Sequence, residues 1–327
     1  SNSGDAITSG VRNTAVGHNS LGGTDTGHDN VAIGNSALAG DCVDDNTAVG
    51  KNALTVFTGS DATAVGSSAL AAATNMAGLT AVGRHALLAN TGGAYNTAVG
   101  TNSGAAIESG NYNTVTGSYA LDGSTTGADR NTAMGYLALS EACVDDNTGI
   151  GAYALSANTS SDNVAVGSFA MKNGTSQNDC IAIGRSALEG DGSTAPTGNY
   201  NIAIGSYSLD KATSANASVA VGTQALTECV TGENNVAVGH YALQNATSGY
   251  NTAVGSNAAD AVTDAARITA IGRDALGVAV SQDDCTAVGY AALDAATSGN
   301  QNTAVGSHAG GGTVNGNNIT AIGYNAL

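Results

Sequence analysis

The dominant pattern along this chain is a short β-branched pulse that returns about every seventeen residues. Asn13-Thr14-Ala15-Val16-Gly17 comes back as Asn46-Thr47-Ala48-Val49-Gly50, and again over Asn96 to Gly100 and Asn251 to Gly255. We take the glycine that closes each pulse as coil position 0. These anchors run from Gly17, Gly34 and Gly50 to Gly306 and Gly323; the 19 of them span 306 residues in 18 steps, a mean period of 17. Position −3 is β-branched in all 19 copies, and position −1 is Val or Ile except at Thr116 and Met134. Two β-branched positions of equal parity predict a strand. Between them position −2 is Ala in 17 copies, with Val115 and Gly149 as exceptions, and position +4 is Leu except at Gly104, Met171, Ala259 and Gly310.

A unit this short cannot bury its own apolar side, but stacked copies can. The pattern therefore predicts an all-β chain, a parallel β-solenoid of about 19 coils, with a second, shorter strand around the Ala-Leu pair. Rising by one strand spacing of roughly 4.8 Å per coil, it would make a rod on the order of 90 Å long. The Val and Ile rows, with Leu as the plug, are expected to face a thin core. The Ala row is then expected to face outward, offering Ala15, Ala32, Ala48, Ala64, Ala81 and Ala98 for close packing between chains. Position −4 is Asn in 12 copies, among them Asn13, Asn30, Asn46, Asn96 and Asn113, so in-register stacking would build an Asn ladder. The anchor glycine permits the turn that follows the strand. The repeat covers 1–327 as one domain; the step from Gly184 to Gly205 stretches to 21 residues and holds the only proline, Pro196, which predicts a longer loop over 190–198. Cys42-Val43-Asp44-Asp45-Asn46-Thr47 recurs six coils on as Cys143-Val144-Asp145-Asp146-Asn147-Thr148, the trace of a duplicated block.

Composition sharpens this. Of 327 residues 46 are Gly, one is Pro, none is Trp and only two are Phe, while 11% are charged; that inventory suits neither a large globular core nor a disordered chain. Nine basic against 26 acidic residues give a formal charge of −17, which repels phosphate backbones and anionic membrane surfaces, so neither nucleic acid nor a membrane is expected as a partner. No run of 18 apolar residues occurs, and Ser1 to Gly10 lacks the basic and apolar parts of a leader. Cys42, Cys143, Cys180, Cys229 and Cys285 lie far apart with no Cys-x-x-Cys pair, so neither a disulfide framework nor a zinc site follows.

The Asn-Thr-Ala-Val-Gly pulse, and Asn30-Val31-Ala32-Ile33-Gly34-Asn35-Ser36-Ala37 in particular, resembles the head repeats of trimeric autotransporter adhesins of the YadA type. Similar repeats occur in bacteriophage tail fibres. The likeness extends over nearly the whole chain, with a coil somewhat longer than the family's. It implies a left-handed parallel β-roll and a homotrimer whose three chains lie side by side about a threefold axis.

Candidate chemistry is sparse. His18, His28, His85, His240 and His308 are scattered, four of them one or two residues after an anchor, and do not converge. Glycine-rich stretches lack the Lys-Ser or Lys-Thr of a phosphate loop. The doublets Asp44-Asp45, Asp145-Asp146 and Asp283-Asp284 read as solvated turn carboxylates, so no metal and no cofactor is named. Tyrosines fall in two phases: Tyr95, Tyr112, Tyr200 and Tyr250 at position −5, and Tyr119, Tyr153, Tyr207 and Tyr241 at +2, a candidate receptor or glycan surface. The 13 Thr at position −3 share the phase of the expected core, which argues against a flat ice-binding array. The sequence thus points away from an enzyme and toward an adhesive fibre shaft, part of a longer trimeric virion tail fibre that attaches to a host-surface glycan or protein. The alternatives are a bacterial cell-surface adhesin head, or an extracellular filament stacking through open solenoid ends. Five unpaired thiols favour the virion, which folds in reducing cytosol.

Overall fold

The computed structural model describes residues 2–24, 26–123, 127–141, 143–192, 196–278, 281–296, 298–312 and 316–327; of the loop expected over 190–198, residues 193–195 lie outside that set. All 19 regular elements are three-residue strands paired in parallel, and no helix occurs among the described residues. Contacts group the chain into two compact units, 1–162 and 163–327, each a β-solenoid. The first unit holds β1 (Thr14–Val16), β2 (Val31–Ile33), β3 (Thr47–Val49), β4 (Thr63–Val65), β5 (Thr80–Val82), β6 (Thr97–Val99), β7 (Thr114–Thr116), β8 (Thr132–Met134) and β9 (Thr148–Ile150). The second holds β10 (Val164–Val166), β11 (Ile181–Ile183), β12 (Ile202–Ile204), β13 (Val219–Val221), β14 (Val236–Val238), β15 (Thr252–Val254), β16 (Thr269–Ile271), β17 (Thr286–Val288), β18 (Thr303–Val305) and β19 (Thr320–Ile322).

Every strand ends at the residue before an anchor glycine, and pairing is in register: Thr14 faces Val31, Ala15 faces Ala32, Val16 faces Ile33. Backbone bonds also link coils beyond the strands. The anchor N–H donates to the position −1 carbonyl of the preceding coil, as Gly34 does to Val16 at 2.8 Å, and Leu21 donates to Ala37 of the next coil at 3.1 Å. The second strand expected around the Ala-Leu pair is absent. There the chain turns, with position +2 (Asn19, Ser36, Asn52) and position +4 (Leu21, Leu38, Leu54) at φ near +50°. This turn still hydrogen-bonds between coils, so it mimics a strand's pairing without its conformation.

The Asn ladder does two things at once. Asn13 Oδ1 accepts from Asn30 N at 2.9 Å and Asn30 Oδ1 from Asn46 N at 2.9 Å, while Asn30 Nδ2 donates to the Val43 carbonyl at 2.7 Å. The same pattern recurs in the second unit, where Asn251 N donates to Asn235 Oδ1 and Asn251 Nδ2 to the Ala265 carbonyl. Apart from the half-buried Asn13 of the first coil, these side chains are buried, so each coil's otherwise unpaired backbone groups are satisfied by the coil beside it.

The sides of the strand are the reverse of those expected. Ala32, Ala48, Ala64, Ala81 and Ala98 are fully buried, as are Leu38, Leu54, Leu70 and Leu87; of the six only Ala15, in the first coil, is half-buried. None of these six is placed to pack between chains, which corrects that assignment. Position −1 faces outward instead: Val16, Ile33, Val65, Val82 and Val99 are exposed, as are Ile183, Ile204, Val238, Val254 and Ile271. Position −3 lies on the same side, half-buried in most coils. The reason is steric. A Cβ built at Gly149, the one Gly in the −2 row, would stand only 3.2 Å from Leu139 Cγ, so opposite the Leu plug a methyl is the largest side chain that fits in most coils.

The anchors show why Gly is required there. Gly184 has φ +131°, and a Cβ on it would lie 2.7 Å from the carbonyl carbon and oxygen of Gly205 in the next coil. Gly184→Ala should cost about 2–4 kcal/mol through conformational strain and the forced separation of two coils. Urea unfolding followed by circular dichroism measures it, with the midpoint falling and the slope unchanged.

Candidate functional site

Burial alternates along the segment that carries each strand, so positions −5, −3, −1 and +1 share one outward face, seen in the first coil at Arg12, Thr14, Val16 and His18. The two inner rows of this face carry no charge. In β10 to β14 they are wholly aliphatic: Val164, Ile181, Ile202, Val219 and Val236 at −3, beside Val166, Ile183, Ile204, Val221 and Val238 at −1. In β3 to β9 and in β15 to β19 the −3 row is Thr throughout. The Thr row therefore points outward, which removes the ground on which a flat hydroxyl array was set aside.

The edge at position −5 is built on left-handed backbone, Arg12, Asp29, Asp45, Tyr95 and Tyr112 all lying near φ +60°. Arginines here are bound by the carboxylate of the next coil. Arg12 holds Asp29 through two bonds of 2.6 Å, Arg130 holds Asp146 through two of 2.7 Å, and Arg267 holds Asp284 at 2.7 and 3.1 Å. Hydrogen bonding from these guanidiniums lowers the pKa of Asp29, Asp146 and Asp284. All three pairs are exposed, so solvent screening leaves them little weight in stability.

The acidic doublets are part of this edge. Their first members accept backbone N–H groups from the preceding coil: Asp44 from His28, Asp145 from Asp129 and Asp283 from Ala266, at 2.7 to 2.9 Å. Position −6 is thus a second side-chain ladder, continued by Asn111, Asn199 and Asn216. No group of three or more His, Cys, Asp or Glu suited to a metal occurs among the described residues.

Of the tyrosines singled out by phase, Tyr95, Tyr112, Tyr200 and Tyr250 stand exposed on the −5 edge, and Tyr95 stacks on Tyr112 with ring centroids 5.3 Å apart. Tyr250 donates to Glu233 Oε1 at 2.7 Å. At +2, Tyr119 is exposed while Tyr153, Tyr207 and Tyr241 are half-buried. Tyr136, at position +1, was missed by the two-phase reading; its ring meets Tyr119 and Tyr153 edge-on at 6.5 and 5.5 Å and joins them into one ladder. Its signal was adjacency to a turn already rich in aromatics. Tyr207 stacks under Arg185 at 5.2 Å and Tyr290 under Arg273 at 4.6 Å.

Two concave features are open and shallow. One recess is lined by Asp294, His308 and Tyr324, another by Glu233, Tyr250 and Arg267, and neither presents a pair of carboxylates for acid-base work. Among the described residues Asp210 is the most perturbed carboxyl, pushed up to about 6 by burial and by neighbouring Glu189 and Glu228, with Lys211 opposing. Among the described residues no helix is long and apolar enough to cross a membrane. The fold and its faces define a structural β-solenoid. No family model, no curated protein and no solved structure matches the chain.

All five cysteines are free and buried, and burial pushes Cys143 up to about 12 and Cys180 and Cys229 up to about 11. Thiols so held stay protonated and inert at neutral pH. The folded form retains these protons where an unfolded chain, at an ordinary 9.0, has lost them, so the stability they contribute is whole below pH 9 and falls as pH rises toward 11 to 12. A thiol-reactive dye should leave the native protein unmodified at neutral pH and label it fully in denaturant. Melting temperatures taken at rising alkaline pH should fall across that window, and less steeply in Cys229→Ala.

Proposed function

We propose that the chain is the shaft of an adhesive fibre, a trimeric virion tail fibre that attaches to a host surface. The observation that carries this reading is the row of exposed Val and Ile at position −1, repeated coil after coil on a face whose two inner rows are uncharged. An aliphatic stripe of this kind, left open to water, is the mark of a surface that another protein covers. Copies of the same chain are suited to it because their coils share one spacing. The likeness of the Asn-Thr-Ala-Val-Gly pulse to YadA-type head repeats supports a threefold arrangement. Unpaired, buried thiols suit assembly in a reducing cytosol and favour the virion over a bacterial cell-surface adhesin or an extracellular filament. Exposed tyrosines supply contact area for a glycan or protein receptor.

A second reading draws on the outward Thr row. Seven consecutive Thr in β3 to β9, spaced by the strand repeat beside a row that is aliphatic at five of its seven positions, offer an ordered hydroxyl and methyl array to a water lattice. The two readings make opposite demands on the face.

Light scattering coupled to size exclusion separates them. The fibre reading predicts three times the 31.6 kDa chain mass and no thermal hysteresis in the same sample. A single-chain mass with hysteresis would replace it by the second reading.

A further inference from the structure

The recess beside Tyr250, in the second unit, opens where the −6 ladder is interrupted. At that position the coil of β15 carries Gly249, the one glycine in the row. A Cβ on Gly249 would meet the backbone of Glu233 in the coil before, and one on Gly232 the backbone of Ser248 in the coil after, so both places stay bare. The hollow they line has a volume of about 460 Å³. Tyr250, 57% exposed, gives it an aromatic wall. The phenol donates to Glu233 Oε1 at 2.7 Å, which ties the ring in place and leaves Oε2 as an acceptor. Thr247 and Ser248 commit their hydroxyl protons to the carbonyls of Thr263 and Asp264, at 2.9 and 2.8 Å, so their oxygens too are left to accept. Arg267 of the next coil completes the lining; its Nε and Nη2 are bound to Asp284, and Nη1 is the donor that remains.

An aromatic face beside several acceptors and one donor suits a neutral polyol. We propose that this recess binds a neutral hexopyranose of a surface glycan, its C–H face stacked on Tyr250, its hydroxyls donating to Glu233, Thr247 and Ser248, and one of its oxygens accepting from Arg267. The proposal rests on the adhesive reading above and commits the receptor to a sugar. Acidic sugars are disfavoured by Glu233, by the formal charge of −17 and by the carboxylate that already neutralises Arg267. An organic cation would suit the ring and Glu233 but offers nothing for Arg267 Nη1 to donate to. The lining falls mainly at positions −8 to −5, off the aliphatic rows at −3 and −1, so a glycan can reach it while those rows are covered. By contrast, Tyr112 and Tyr200 on the same edge follow Asn111 and Asn199, whose side chains occupy the ladder at that place.

Saturation-transfer NMR on the full chain tests this, with the methyl glycosides of glucose, galactose and mannose run beside N-acetylneuraminic acid and tetramethylammonium. At least one neutral glycoside should take up saturation and neither charged probe should. Tyr250→Ala should weaken that binding about tenfold while Tyr250→Phe, which keeps the ring, retains most of it, with circular dichroism unchanged in both. Transfer to no methyl glycoside, or undiminished transfer in Tyr250→Ala, would overturn the site, as would binding of either charged probe in their place. A three-chain mass by light scattering alongside that failure would leave the fibre reading standing. Sugar binding by a single-chain species would instead remove the fibre and leave the site.

Discussion

The core of each coil is thin: in most coils the Leu at position +4 is its largest side chain, joined in a few by a second such as Phe57 in the coil of Leu54 or Leu79 in the coil of Leu70, and nearly every other choice in the sequence follows from that narrowness. The Leu at position +4 takes the space, on left-handed backbone, and the strand passing opposite it can carry no more than a methyl group in most coils. The coil is then too thin to satisfy its own backbone, so the Asn ladder at −4 and the Asx ladder at −6 hand that task to the neighbouring coil. Stability is accordingly a property of the stack and not of the unit, as expected of solenoids. Glycine at the anchor completes the arrangement because successive coils touch there backbone to backbone.

The same constraint creates the outward face. With Ala assigned to the interior, the larger β-branched residues have only the outside left, and they line it in register at the strand spacing. Exposed aliphatic rows cost solubility unless something covers them. Here the charged residues are kept to the margins of the face, both signs at position −5 and only basic ones at +1, where they leave the uncharged rows continuous.

Period, strand placement and the anchor turns were legible in the sequence because each is written 19 times and each has a local cause. Which side of the strand is inside was not. Alternation fixes parity but not sign, and the usual preference of Val and Ile for a core over Ala pointed the wrong way. The informative signal was restriction of size. Position −2 admits almost nothing but Ala, as a crowded interior demands, whereas position −3 exchanges Thr for Val or Ile freely, as a surface allows. The Ala-Leu turn was misread as a strand for a related reason: Leu is a poor occupant of left-handed backbone, and only the stack makes it tolerable. Of the candidate binding residues, the −5 tyrosines could be placed on one edge from phase alone. Their charged neighbours could not, because the edge's meaning depends on which rows face out.

Urea unfolding of Ala203→Leu beside Ile204→Ser tests the account at its centre, since the two substitutions fall on adjacent residues of β12 with opposite burial. If the methyl row is the interior, Ala203→Leu loses most of its folding stability while Ile204→Ser keeps its coils folded and loses only self-association. The reverse outcome, with Ala203→Leu tolerated and Ile204→Ser unfolded, would contradict it.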